Sequence, residues 1–213
     1  MKLTIFGATG ATGTSLVQQA LTAGHDVTAV VRDPARLAIP ARHRLRTVTA
    51  DVLDAAAISP AVDGEDAVIS AVGPGTGAST LRQDSTHSII QAMQKTGTRR
   101  LLIVSGSIVA DEGDSPFTRY LLKPLARRTF LRHVCADMRR AEDEIHASNL
   151  DWTIMRPPSL TDKAARGTYR TATDRNLPHG FSISRADLAD LAACMLTLPD
   201  NPASVHRHVA IAN

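Results

Sequence analysis

The segment Gly7-Ala8-Thr9-Gly10-Ala11-Thr12-Gly13 sets three glycines at a three-residue spacing, directly after the apolar run Leu3 to Phe6. In that context the first glycine supports a tight turn out of a strand. The second lets the backbone approach a diphosphate, and the third lets the following helix pack closely on the strand. The helix N-terminus adds unpaired amides and a partial positive charge, both suited to phosphate oxygens. Gly7, Thr9, Gly10, Ala11, Thr12 and Gly13 are thus candidate ligands of a dinucleotide. The next apolar run ends Val30-Val31-Arg32-Asp33. A guanidinium there matches a ribose 2′-phosphate in shape and charge, which a carboxylate would repel. NADP(H) is therefore the expected cofactor, and Asp33 keeps NAD(H) open. Asp51 and Val52 are placed for the adenine edge, and Ala71, Val72 and Gly73 for the adjoining ribose.

These residues need a sheet to hold them. Short apolar runs at Leu3–Phe6, Val27–Val31, Thr47–Ala50, Ala67–Ala71, Leu101–Val104 and Trp152–Met155 read as buried parallel strands. Helix-length segments at 13–23, 55–61, 80–95 and 138–147 separate them, with Ser79 as a cap and Gly24 and Gly97 as stops. Strand and helix in alternation predict an α/β fold, a Rossmann-type doubly wound parallel sheet with helices on both faces. Pro157 and Pro158 end the sixth strand, since proline cannot continue a central ladder. From Ser159 to Phe181 the chain reads as loop with a short strand at 169–171. A helix capped by Ser184 and a final strand over 205–211 follow. The expectation is one domain over 1–213, with a cofactor-binding core to about 155 and a small C-terminal substrate-side elaboration beyond it.

Composition narrows the partners. A net charge of +3 and an aromatic content of 3% cannot furnish a base-stacking platform, so no nucleic-acid partner is expected. No apolar run approaches the ~20 residues that span a bilayer, so no membrane partner is expected either. Lys2 to Phe6 reads as strand rather than secretory leader, which makes the cytoplasm the expected compartment. Cys135 and Cys194 lie outside any CxxC or Cys/His cluster, and no metal is expected. The basic stretch Arg119 to Arg140 reads as a solvated helical face, or else as a rim drawing in an anionic cofactor or substrate. His133 and His146 read as solvated, and His206 and His208 as a surface pair.

GATGATG at 7–13, Val31-Arg32-Asp33, Ala50 to Asp54, Ala147 to Pro158, Gly167-Thr168-Tyr169 and Ile183 to Leu188 together resemble the atypical short-chain dehydrogenases/reductases. The order of motifs is most similar to NADPH-dependent flavin/biliverdin-IXβ reductases and NmrA-like NAD(P)-binding proteins. The resemblance spans essentially the whole chain. It implies a catalytic serine at Ser107, with Ser105 close behind and also near the cofactor, and a nicotinamide floor at Pro157 and Pro158. It also implies a tyrosine followed four residues later by a lysine. That pair is absent: the helix where it would lie reads Cys135-Ala-Asp-Met-Arg-Arg140, and Tyr120 and Lys123 fall one residue short of the spacing.

Without a positioned acid, a simple ketone is a poor acceptor, because general acid catalysis contributes roughly 10²–10⁴-fold. A flavin, a biliverdin-like tetrapyrrole or a quinone spreads the incoming charge over a conjugated system. The expected activity is therefore NADPH-dependent reduction of a small conjugated acceptor walled by residues 159–181, with His179 as a candidate proton donor. The alternative is an NmrA-like redox sensor that binds NADP(H) and reports to a protein partner.

Overall fold

Leu3 and Ile5 of β1 (Lys2–Phe6) join the hydrophobic cluster on one face of the sheet, while Phe6 joins the cluster on the other and the Thr4 hydroxyl bonds the Ala61 carbonyl there. That alternation identifies a strand covered on both sides. The computed structural model describes residues 1–73, 79–128, 131–197 and 204–213. In chain order β1 is followed by α1 (Ala11–Thr22), β2 (Asp26–Val31), β3 (Leu45–Thr49), α2 (Ala55–Val62), β4 (Ala67–Ser70) and α3 (Leu81–Thr96). Next come β5 (Arg100–Val104), α4 (Lys123–Arg128), α5 (Arg132–Ala147) and β6 (Asp151–Arg156). The last third adds β7 (Ser159–Thr161), β8 (Arg170–Thr173), β9 (Ser182–Ser184), α6 (Arg185–Thr197) and β10 (Arg207–Ala212).

Eight strands form one sheet in the order β3-β2-β1-β4-β5-β6-β10-β8, all pairings parallel except the antiparallel edge β10·β8. Helices α1 and α6 pack on one face, around Leu16, Val17, Leu188 and Leu196. Helices α2, α3 and α5 cover the other, around Ile58, Ile89, Met93 and Ile145. The chain thus winds to opposite faces from the adjacent strands β1 and β4. In open α/β sheets such a switch point is where ligands bind, outside the carboxyl ends of the strands.

Local chemistry fixes the element ends. Asp54 caps α2, its Oδ1 accepting from Ala56 and Ala57 amides at 2.9 and 3.0 Å. Ser184 caps α6 as its sequence position suggests, accepting from the Asp187 amide at 3.0 Å. Gly24 and Gly97 stand just past their helices at φ +82° and +80°.

Some expectations need correction. The third strand begins at Leu45 rather than Thr47, and it is half-exposed because it forms the sheet edge. Helix α5 starts six residues before Met138. Residues 159–161, expected as loop, instead pair with residues 182–184 as a separate two-stranded parallel sheet, Leu160 opposite Ile183.

Candidate functional site

Gly7 leaves β1 at φ +76°, and its carbonyl accepts from the Gly10 amide at 3.0 Å, closing a tight turn. A Cβ on Gly7 would lie 2.6 Å from the Ala71 carbonyl oxygen, so the loops after β1 and β4 meet here at backbone distance. A Cβ on Gly13 would overlap the Gly7 carbonyl, and one on Gly10 would stand 3.3 Å from it. The first turn of α1 holds no acidic residue, its N-cap Gly10 offers no side chain, and the first helical bond runs from Thr14 N to Gly10 O at 2.8 Å. The amides of Ala11, Thr12 and Gly13 therefore precede the helical ladder at its positive end. This cradle of backbone amides, framed by Gly7, Gly10 and Gly13, fits a dinucleotide diphosphate.

The remaining expected contacts stand at the same end of the sheet. Arg32 follows β2 and is exposed. Asp33 is spent locally: its side chain caps the turn Pro34–Arg36, accepting from the Ala35 amide at 3.0 Å. Asp51 follows β3 and accepts from the Leu53 amide at 3.0 Å, while Val52 packs on the core. Ala71, Val72 and Gly73 follow β4.

Beyond β5, β6 and β10, at the same end of the sheet, opens a cleft of about 490 Å³. Ser105, Ser107, Pro157, His179 and Phe181 all line it. The two serines differ. Ser105 Oγ donates to Glu142 Oε1 at 2.5 Å, and Arg156 Nη2 pairs with Glu142 Oε2 at 2.5 Å, so the Ser105 hydroxyl is committed to a buried ion pair. Ser107 Oγ has no hydrogen-bond partner among the described residues, while its amide donates to the Pro157 carbonyl at 2.8 Å. Of the expected pair, Ser107 is the one with a hydroxyl to offer.

The Ser107 segment is held from two sides. Lys123 Nζ donates to the carbonyls of Ser107 and Ala110 at 2.6 and 2.5 Å, and Asn176 Nδ2 reaches the same two at 3.3 and 2.9 Å. Arg127 bonds the Ile108 carbonyl and pairs with Asp111 at 2.7 Å, a bond that holds the Asp111 carboxyl below its usual range. This corrects the reading of the basic stretch. Arg119, Arg128, Arg132, Arg139 and Arg140 are solvated, whereas Lys123 and Arg127 turn inward. Tyr120 and Lys123 do not stand in for the missing tyrosine and lysine either, since Tyr120 is 73% exposed and Lys123 5%.

Helix α5, the helix on which the resemblance implied a tyrosine and a lysine, turns Val134 and Met138 toward the cleft, four residues apart on one helical face. Arg82, from the first turn of α3, also lines the cleft, and its part was not anticipated because a lone arginine opening a helix carries no pattern.

Of the histidines singled out above, His179 lines the cleft, and His146, His206 and His208 lie apart from it. His179 sits at φ +58° in the turn Leu177–Gly180, where Pro178 precedes it and the Gly180 amide bonds the Leu177 carbonyl at 3.1 Å. His206 and His208 are not a plain surface pair. With His146 they surround Trp152, ring centroids 4.9–5.6 Å away, and His146 Nε2 lies 3.0 Å from His208 Nε2. Among the described residues no group of three or more His, Cys, Asp or Glu is arranged to hold a metal, and no helix is long and apolar enough to cross a membrane.

Comparison with known proteins agrees with this geometry. An uncharacterised chloroplastic protein of Arabidopsis thaliana, At2g34460, is 32% identical over 202 residues, covering 90% of this chain and 70% of its own. A short-chain dehydrogenase/reductase from Veillonella parvula, solved in complex with NADP, superposes with a TM-score of 0.82 at 17% identity, covering 100% of this chain and 94% of its own. ChuY, an anaerobilin reductase from Escherichia coli O157:H7, gives 0.78 at 24% identity, covering 100% and 97%. A family model described as NAD(P)H-binding matches residues 7–199, from the first glycine of the cradle to the end of α6 and just beyond. The chain belongs to that NAD(P)H-binding family.

Proposed function

We propose that this protein is an NADPH-dependent reductase of a small conjugated acceptor: a flavin, a biliverdin-like tetrapyrrole or a quinone. The observation that carries the reading is the cleft beside Ser107, whose α5 wall is Val134 and Met138 rather than an acid and a cation. The coenzyme, when bound, supplies hydride. The chain supplies placement: glycine amides for the diphosphate, Arg32 for a 2′-phosphate, Pro157 and the Ser107 hydroxyl beside the cleft. A planar, delocalised acceptor needs no strong acid from the wall it stacks on, and an apolar wall suits it. Resemblance to flavin/biliverdin-IXβ reductases supports the same acceptor class, and the anaerobilin reductase ChuY shares the fold. NADPH absorbance followed with FMN, biliverdin and menadione tests the proposal. Consumption with at least one is expected, and none with any would overturn it.

One observation favours the sensor reading. Phe117, Tyr120 and Leu121, just before α4, are 59%, 73% and 55% exposed. An apolar patch of this kind suits a protein partner. Tight NADPH binding without turnover, together with a partner lost on Phe117→Ser, would establish that reading instead.

A further inference from the structure

The charged groups lining the cleft are matched almost one to one. Lys123 pairs with Asp114 at 2.5 Å, Arg156 with Glu142 at 2.5 Å, and Arg185 with Asp162 at 2.7 Å. Arg82 is the exception: among the described residues it forms no ion pair, and its Nε and Nη1 are buried without a hydrogen-bond partner. The neighbouring carboxylate does not answer it. Asp137 is spent on the start of α3, its Oδ2 accepting from the Arg82 amide at 3.2 Å and its Oδ1 from the Gln83 amide at 3.0 Å. Glu142 is held by Ser105 and Arg156. Arg82, with Ser105 and Met138, lines both the cleft and a small neighbouring pocket bounded by Ser70, Val72 and Glu142. Buried donors left unmet are costly, and a charge-assisted bond to an incoming acid offsets that cost.

We infer that Arg82 recognises an acidic group on the acceptor, so that the cleft takes conjugated molecules bearing a carboxylate or phosphate in preference to their neutral analogues. The inference deepens the reductase reading and rests on it for the word acceptor. Arg82 on α3 and the hydrocarbon face of Val134 and Met138 on α5 line the same cleft, the two helices meeting where the Arg82 amide bonds Asp137. An anchor and a stacking wall supplied by different helices would together fix one orientation of a flat ring system.

The test is equilibrium binding to the full-length protein, with no reductant present. FMN is titrated against riboflavin, and anthraquinone-2-carboxylate against 2-(hydroxymethyl)anthraquinone. Each pair shares its ring and differs in the acid, and the two pairs separate phosphate from carboxylate. NADP⁺ affinity is measured alongside. The wild type should bind the acidic member of at least one pair about tenfold or more tightly. Arg82→Gln should bring that preference to within about twofold, and Arg82→Lys should keep part of it. Neither change should alter NADP⁺ affinity. Arg82→Met, which retains the hydrocarbon volume, serves where circular dichroism shows that Arg82→Gln has not folded. No acid preference in the wild type would overturn the inference. So would a preference unchanged in Arg82→Gln, or a loss of NADP⁺ affinity in its place. An intact acid preference with no NADPH consumption toward any acceptor would sink the reductase reading alone.

Discussion

Lys123 Nζ lies 2.5 Å from Asp114 Oδ2, and each side chain is only 6% exposed. Burial pulls the lysine pKa down, and the Asp114 contact partly restores it. Removing one partner of a buried pair strands the other charge, at a cost of about 3–5 kcal/mol, whereas replacing both with apolar groups is often near neutral. Lys123→Met should therefore lower stability in urea unfolding by that amount. Lys123→Met combined with Asp114→Leu should recover most of the loss. Equal losses for the single and double variants would contradict the pairing.

Arg32 is exposed at the end of β2, and Asp33 is tied to the Ala35 amide. Arg32→Glu should weaken NADPH by tenfold or more while changing NADH about twofold at most, since only the former carries the 2′-phosphate. Calorimetry with both coenzymes measures the ratio. Parallel losses would remove Arg32 from the phosphate contact.

The glycine cradle makes a graded prediction. At Gly13 an added Cβ overlaps the backbone carbonyl of Gly7, which has no flexible end to move aside, whereas at Gly10 it stops 3.3 Å short. Gly13→Ala should cost on the order of 1–3 kcal/mol by overpacking and abolish coenzyme binding. Gly10→Ala should be milder in thermal unfolding and still weaken the diphosphate contact. The reverse ranking would mean that the turn closes differently.

His208 carries an acid-sensitive element. Its pKa is lowered first by burial, then by Arg156, with His146 adding to the effect and Glu142 and Asp174 opposing it. The folded state favours the neutral ring, so the unfolded state takes up the proton first, near a pH of about 6.5. The stabilisation is complete above that pH and is lost as the pH falls below it. His208→Asn should flatten the stability profile between about pH 7 and 5. Trp152, the single tryptophan of the chain and a neighbour of these rings, reports the unfolding. An unchanged slope would exclude His208 as the origin.

How far the sequence could be read depended on how local each signal was. The glycine turn and the strands at Val27–Val31, Ala67–Ser70 and Leu101–Val104 announce themselves, because burial on both faces demands unbroken apolar runs. The switch point follows from strands and helices in alternation. The pairing of Leu160 with Ile183 does not, since three-residue strands hold no period to detect and their partner lies 23 residues away. Nor does the inward turn of Lys123: a basic run looks like a wet surface until Asp114 and the carbonyls of Ser107 and Ala110 are placed around it. Arg82 stayed hidden for a related reason. What marks it is that the carboxylates beside it, Asp137 and Glu142, are bonded to other groups, which only the assembled fold reveals.

Asn176, from the last third of the chain, grips the same two carbonyls behind Ser107 as Lys123 does, and its own amide bonds the Glu112 carbonyl at 2.6 Å. The serine therefore owes its placement to residues on either side of β6 in the sequence. Exchanging the segment after Pro158 for that of a relative, as one would to transplant a new acceptor preference, removes one of the two clasps on the serine. Such a hybrid needs a side-chain amide in the Asn176 position before its donated walls can show what they select.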